Sequence, residues 1–480
     1  MKPAGTQETD RGADLAGGRG TVPSPSMGAI PKYVIALLCL YLVALTLIHL
    51  PPMRSLDREE ITISGPGGRA GLGTLWKCGE TPKAVLIAGH GVTANRGIMF
   101  MIAYVFARNG YDVLALDFWG HGRSREAFDW EGNPGLIHAW CDWAHERYPG
   151  VSLAYLGYSM GGFAGAKAFR ENPRVDAFVA LGATPNRELQ CPTLVAKGDH
   201  EELFNYEQAR KSIDAWGGLV TSPFSDHVLE AHDPLLLWRI LEWVNDTLKI
   251  SAERRFPLAY WLGFNVALLL GTIATLLLAE RGARLFRAPY IGVMPPPRTR
   301  RWSINPYRLA GRMIGCRGPS AAPRSGTFPA AMARGTVFSL IVVLLLSGLL
   351  NRHVFTCAPD HPERLLTWGI LILALALPVF LDAWLLERLP YARSRQRFLV
   401  PALTRAIPLL VVGETMRILG PPVAFGGMTL MLFAGILALL ALVHALATRA
   451  AADWRAGAAA TTILFAWLIA FWFPLSWPWL

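Results

Sequence analysis

Charge is scarce in this sequence: Asp, Glu, Lys and Arg together make up 17% of 480 residues, against 52% hydrophobic residues. With a mean hydropathy of +0.31, such a chain is not a single water-soluble globule. Acidic residues are missing altogether from 281–334, a stretch that carries eleven Arg, and Lys is missing after Lys249. That one stretch matches the net charge of +11, which argues against a nucleic-acid-binding surface. An Arg-rich loop between apolar spans instead fits positive-inside bias or contact with anionic lipid. Cysteine is thin as well. Cys39, Cys78, Cys141, Cys191, Cys316 and Cys357 contain no CxxC pair, so neither a zinc signature nor a disulfide framework is visible.

Long apolar runs are what the sequence has in place of charge. Residues 1–31 are rich in Gly, Pro, Ser and Thr and are expected to be disordered. "YVIALLCLYLVALTLIHL" (33–50) follows, uncharged and without a small-x-small cleavage site before "PPMRS". It reads as an uncleaved signal anchor covering 32–52 rather than a signal peptide. After a soluble-like region at 55–250, the part from 257 to 480 is apolar again. Spans are expected at 257–279, 336–350, 367–386, 422–447 and 457–477, with a weaker one at 398–419 that contains Arg405, Glu414 and Arg417. With the Arg-rich loop 281–334 cytoplasmic, the span before it carries residues 55–250 to the other side. Excess Arg over Lys points to a bacterial inner (plasma) membrane, with the soluble region extracytoplasmic.

Region 55–250 has a different texture. "AVLIAGHG" (84–91), "YDVLALDFWGHG" (111–122), "VSLAYLGYS" (151–159), "VDAFVALGA" (175–183) and "PTLVAKGD" (192–199) are short apolar runs ending in Gly, Asp or Ser. Such runs are buried parallel strands. Helical stretches at about 96–109, 131–147, 161–171 and 204–215 alternate with them, which predicts an α/β domain with a mostly parallel sheet.

One strand-to-helix junction carries chemistry. "GYSMGG" (157–162) places Ser159 between Gly157 and Gly161, where a strand ends and a helix begins. A G-x-S-x-G turn there lifts the serine Oγ clear of the backbone, and the helix N-terminus supplies N–H groups where an oxyanion forms.

Together with "GHG" (89–91), "DFWGHGRS" (117–124), "PTLVAKGDHEELF" (192–204) and "SDHVLEAHDPLLLWRILEWV" (225–244), this turn resembles the α/β-hydrolase superfamily over about 80–246. The resemblance implies Ser159 as nucleophile and His227 as general base, then general acid. His232 is a weaker alternative. The triad acid falls on Glu201, three residues past Gly198, with Asp199, Glu202 or an acid elsewhere in the chain as alternatives. Backbone N–H groups of Val92 and Met160 would form the oxyanion hole, with His90 and Gly91 shaping the loop. Asp117 and His121 are expected to be supporting residues. Only "TPNRELQ" (184–190) stands where many lipases insert a lid.

The expected activity is hydrolysis of an ester or thioester, lipid-like in this membrane setting, through an acyl-enzyme and without metal or organic cofactor. An acyl ester substrate and membrane lipids are the expected partners, and nucleic acid is not. An acyltransferase or peptidase using the same triad, and a non-catalytic receptor or scaffold, are the alternatives.

Overall fold

A computed structural model describes residues 32–92, 94–200, 213, 217–251, 256–286, 327–350, 362–389, 396–419 and 421–472. Outside them lie the N-terminal stretch 1–31, Glu201, Glu202, nearly all of the helix expected at 204–215, and most of the Arg-rich loop.

Eight strands form one sheet in the order β1-β2-β4-β3-β5-β6-β7-β8. β3 (Ala84–Gly89), β4 (Tyr111–Asp117), β5 (Ser152–Tyr158), β6 (Ala177–Leu181) and β7 (Thr193–Gly198) are the five strands expected from the sequence. All are parallel, and β3 and β4 are buried at every position, which is why they read as continuous apolar runs. Three strands were not legible. β1 (Asp57–Ser64) and β2 (Ala70–Lys77) form an antiparallel hairpin, and β8 (Gly218–Ser222) pairs in parallel with β7 at the far edge. β1 and β8 have only one neighbour each and stay partly exposed, so polar residues and Gly dilute their pattern.

Register sets up the site. β3 lies between β4 and β5, and Gly89 is level with Gly157. The loop after β3 and the turn after β5 therefore leave the sheet side by side, at the carboxyl ends of parallel strands, where open α/β sheets bind ligands. The helices α2 (Phe100–Ala107), α3 (Asn133–Arg147), α4 (Met160–Ala168) and α5 (Pro234–Thr247) flank the sheet. Residues 182–192 connect β6 to β7 without a helix, so the expectation of no large lid holds there.

Among the described residues, seven helices are long and apolar enough to cross a membrane, by length and composition. They are α1 (Lys32–Ser55), α6 (Leu258–Leu285), α7 (Phe328–Leu350), α8 (Pro362–Leu386), α9 (Gln396–Leu419), α10 (Pro421–Ala451) and α11 (Trp454–Trp472). The weaker segment at 398–419 is thus a continuous helix of the same class, α9. Its charges are matched: Glu414 pairs with Arg417 on one helix face, and Arg405 reaches across to Asp382 of α8. Glu280 in α6 is buried and bonded to Arg449 of α10 at 2.7 Å. Close packing relies on small residues: a Cβ at Gly335 would fall 2.4 Å from the Ala456 carbonyl oxygen.

α1 and α6 run antiparallel. The Arg281 guanidinium lies over the Tyr33 ring at 4.7 Å at one end, and the Tyr260 hydroxyl donates to the Ile48 carbonyl at 2.9 Å near the other. The α/β domain follows α1 and precedes α6, so it sits at the end opposite the C-terminus of α6. It docks there through α2, which is buried at every residue because the sheet covers one side and α6 the other. Phe100 meets Phe264 at 5.2 Å, and Tyr104 meets Tyr260 at 4.5 Å.

Candidate active site

Ser159 follows the last residue of β5 and caps α4 with φ 50° and ψ −112°, a conformation that residues other than Gly rarely adopt. The surrounding structure over-determines it. The Ser159 N–H donates to the Leu181 carbonyl at 2.8 Å, and the Gly161 N–H to the His90 carbonyl at 3.1 Å. The two flanking glycines are required by contact: a Cβ at Gly157 would sit 2.3 Å from the Gly161 carbonyl, and one at Gly161 would sit 2.4 Å from the Gly89 oxygen. This is the sharp strand-to-helix turn expected from the sequence.

His227 lies in the loop between β8 and α5, and its Nε2 is 2.9 Å from Ser159 Oγ. Its ring stacks on Tyr158 at 5.6 Å between centroids, and the Tyr158 hydroxyl donates to the His227 carbonyl at 2.5 Å. Residues far apart in sequence are thereby brought together as the sequence expected. His232 turns elsewhere: its ring lies nearly parallel to Phe264 of α6 at 6.5 Å, and its carbonyl accepts from the Trp261 indole at 2.7 Å.

The carboxylate side of the site is less simple. Glu201 and Glu202 are outside the described residues. Asp199 is exposed, and its backbone N–H donates to the Ser222 carbonyl at 2.8 Å. A carboxylate that sequence reasoning missed, Glu230, is completely buried beside His227, with Oε2 3.6 Å from Nδ1. Its Oε1 accepts from the Gly198 N–H at 2.7 Å.

The loop after β3 is built around a neutral histidine. The Phe118 N–H donates to His90 Nε2 at 3.1 Å, so the proton is on Nδ1, which bonds the Gly91 carbonyl at 2.7 Å. Complete burial pushes the His90 pKa down, against the opposing pull of Asp117. A Cβ at Gly91 would come within 3.2 Å of the Ser159 Cβ, so this loop touches the serine turn. Val92 follows Gly91, and Met160 is the first residue of α4. Asp117 is an organiser: its carboxylate accepts the Arg96 N–H at 2.8 Å and the Arg123 N–H at 3.0 Å. His121, 5.1 Å from His90 between rings, is held by burial at a pKa of about 3.

Phe118, Trp119 and Trp140 belong to the core, whereas Phe128 and Trp130 are exposed. Phe224, Val228 and Leu229 are also exposed, on either side of His227. Among the described residues, no group of three or more His, Cys, Asp or Glu is arranged to hold a metal ion.

The mostly parallel sheet with flanking helices is a fold like that of α/β hydrolases, and it carries a serine at a strained strand-to-helix turn with a histidine on its Oγ. Residues 80–187 match the family model described as serine aminopeptidase, S33. An uncharacterised protein of Rickettsia prowazekii is 22% identical over 172 residues, covering 32% of this chain and 72% of that protein. Among solved structures, an α/β serine hydrolase without lid from Xanthomonas campestris is similar at 18% identity and TM-score 0.35, covering 40% of this chain and 94% of its own. A Pyrococcus furiosus esterase is similar at 18% identity and TM-score 0.35, covering 42% and 94%. The family match, which spans the loop after β3 and the serine turn, supports a hydrolase in general terms.

Proposed function

We propose that the protein is a membrane-bound serine hydrolase that cleaves an ester or thioester through an acyl-enzyme. The observation that carries this reading is the 2.9 Å approach of His227 Nε2 to Ser159 Oγ, with Ser159 held at positive φ. With Nε2 facing the hydroxyl as acceptor, the ring proton sits on Nδ1. Ser159 Oγ attacks the carbonyl carbon while its proton passes to Nε2, and the tetrahedral oxyanion is taken by the N–H groups of Val92 and Met160. The imidazolium then protonates the leaving group as the carbon–heteroatom bond breaks. Water, deprotonated by the same nitrogen, attacks the acyl-enzyme and releases the acid and free Ser159.

The substrate class follows from the setting. The site has no helix over it between β6 and β7, and Phe224, Val228 and Leu229 expose apolar surface beside His227. The turn after His227 packs on the first turns of α6. An apolar, lipid-like acyl ester taken from the membrane surface suits that placement, with the domain extracytoplasmic and the Arg-rich loop cytoplasmic.

The test is fluorophosphonate labelling of the full chain in membranes. Wild type is expected to label, and Ser159→Ala and His227→Ala to lose labelling while remaining folded. Turnover of p-nitrophenyl esters of increasing chain length against aminoacyl anilides then separates esterase from peptidase action. A folded wild type that takes up no probe refutes the hydrolase reading.

A further inference from the structure

We propose that Glu230 is a positioning residue for this chemistry: its carboxylate orients His227 and stabilises the imidazolium formed when Ser159 gives up its proton. The inference rests on the serine-hydrolase reading above and moves a catalytic carboxylate from the loop after β7 to the turn after the histidine.

Four observations converge on it. Glu230 has 0% exposure, and a carboxylate taken wholly out of water is costly without compensating groups. Two such groups are in place. The Gly198 N–H at the end of β7 donates to Oε1 at 2.7 Å, and His227 Nδ1 lies 3.6 Å from Oε2. That second distance is an ion-pair separation, longer than a hydrogen bond, and catalytic contacts of this kind tighten when substrate binds.

The tether is short. Glu230 opens a single 3-10 turn, Glu230–His232, three residues after His227, so histidine and carboxylate share one local frame. The turn is fixed from outside the domain by the Trp261 indole on the His232 carbonyl. Finally, the backbone at the end of β6 is bare where the pair sits. Gly182 has φ 58°, and a Cβ there would fall 2.1 Å from Glu230 Oε2 and 3.1 Å from His227 Nδ1.

The geometry makes Glu230→Gln a sharp probe. Gly198 N–H needs an acceptor, so the amide oxygen takes the place of Oε1 and the amide NH2 faces Nδ1. A donor at Nδ1 favours the imidazole tautomer with its proton on Nε2, which cannot accept the Ser159 proton. Glu230→Gln is thus nearly isosteric, keeps the bond to β7, and is expected to lower kcat by about 100-fold or more with little change in KM.

The experiment is the steady-state kcat and KM of the detergent-solubilised full chain on p-nitrophenyl butyrate, with fluorophosphonate labelling rates and thermal unfolding for wild type, Glu230→Gln, Glu230→Asp and Glu201→Gln. A folded Glu230→Gln with lowered kcat and nearly unchanged KM, partly restored in Glu230→Asp, supports the proposal. A folded Glu230→Gln with wild-type kcat overturns it, and loss of activity in Glu201→Gln would then put the acid after β7. If Glu230→Gln does not fold, Glu230→Asp decides. Its carboxylate is drawn back by one methylene, so a kcat lowered by about tenfold supports the role and a wild-type kcat overturns it. Failure of the hydrolase reading itself looks different: wild type would neither label nor turn over ester.

Discussion

At the scale of residues, the site combines one strained serine with several buried groups whose roles are set by hydrogen bonding. His90 and His121 pack against each other beside the loop after β3, and burial keeps both neutral. His121 has the more testable consequence. Its folded pKa of about 3 lies below its unfolded value of 6.5, so the unfolded chain binds more protons between those limits. Its contribution is therefore fully present above about pH 6.5 and is lost as pH falls toward the folded value. At pH 5 the linked loss from this one group is about 2 kcal/mol. Wild type is expected to lose more thermal stability than His121→Gln between pH 7.5 and pH 5, measured as apparent Tm in detergent; parallel pH dependence in the two proteins would refute the assignment. The serine turn and His227 were legible from the sequence because G-x-S-x-G after an apolar run encodes a backbone geometry locally. Glu230 was not, because a glutamate in a loop before a helix has the same local signature whether it faces water or imidazole.

At the scale of elements, α2 and α6 are the informative pair. α2 is apolar all round, which a helix on the face of a soluble domain would not be. Its second partner is α6, an element of the apolar half of the chain. Phe264 of α6 touches both sides of this joint: it meets Phe100 of α2 and lies under His232, at the end of the turn that carries Glu230. Phe264 is 3% exposed, so Phe264→Ala is expected to cost about 3 kcal/mol. Labelling of Ser159 should slow as well, although Phe264 is no part of the reacting groups. Thermal unfolding and probe-labelling rates check this, and unchanged values for both would mean that the joint is loose. The strands show the same dependence on neighbours. β3 to β7 were legible because both faces are covered, whereas β1 and β8 are edges whose pairing depends on strands elsewhere in the chain.

For the whole molecule, the α/β domain lies at one end of the antiparallel pair α1 and α6, and α6 ends at the other, where the Arg-rich stretch of sequence begins. With the loop on the cytoplasmic side, single cysteines introduced at exposed positions of the domain, such as Glu131 or Glu171, are expected to react with a membrane-impermeant maleimide in intact cells. Cysteines placed at Ser303 or Ser320 are expected to react only after the membrane is opened. The reverse pattern would invert the proposed topology and place hydrolysis in the cytoplasm. The six native cysteines, Cys39, Cys78, Cys141, Cys191, Cys316 and Cys357, would be replaced by Ser or Ala beforehand.

The sequence by itself determined the two-part character of the chain, the parallel core of the sheet, the serine turn and the apolar helices. Each is written in a periodicity or a turn signal that spans a few residues, and burial on all sides makes such signals strong. Only the tertiary structure decided which carboxylate is buried beside His227, which strands close the sheet, and why α2 carries no polar face. Those outcomes depend on register and on contacts between segments distant in sequence: Gly89 level with Gly157, Gly198 on Glu230, Phe264 on Phe100. A side chain's partner across the fold leaves no periodic trace in its own neighbourhood, so packing settles it.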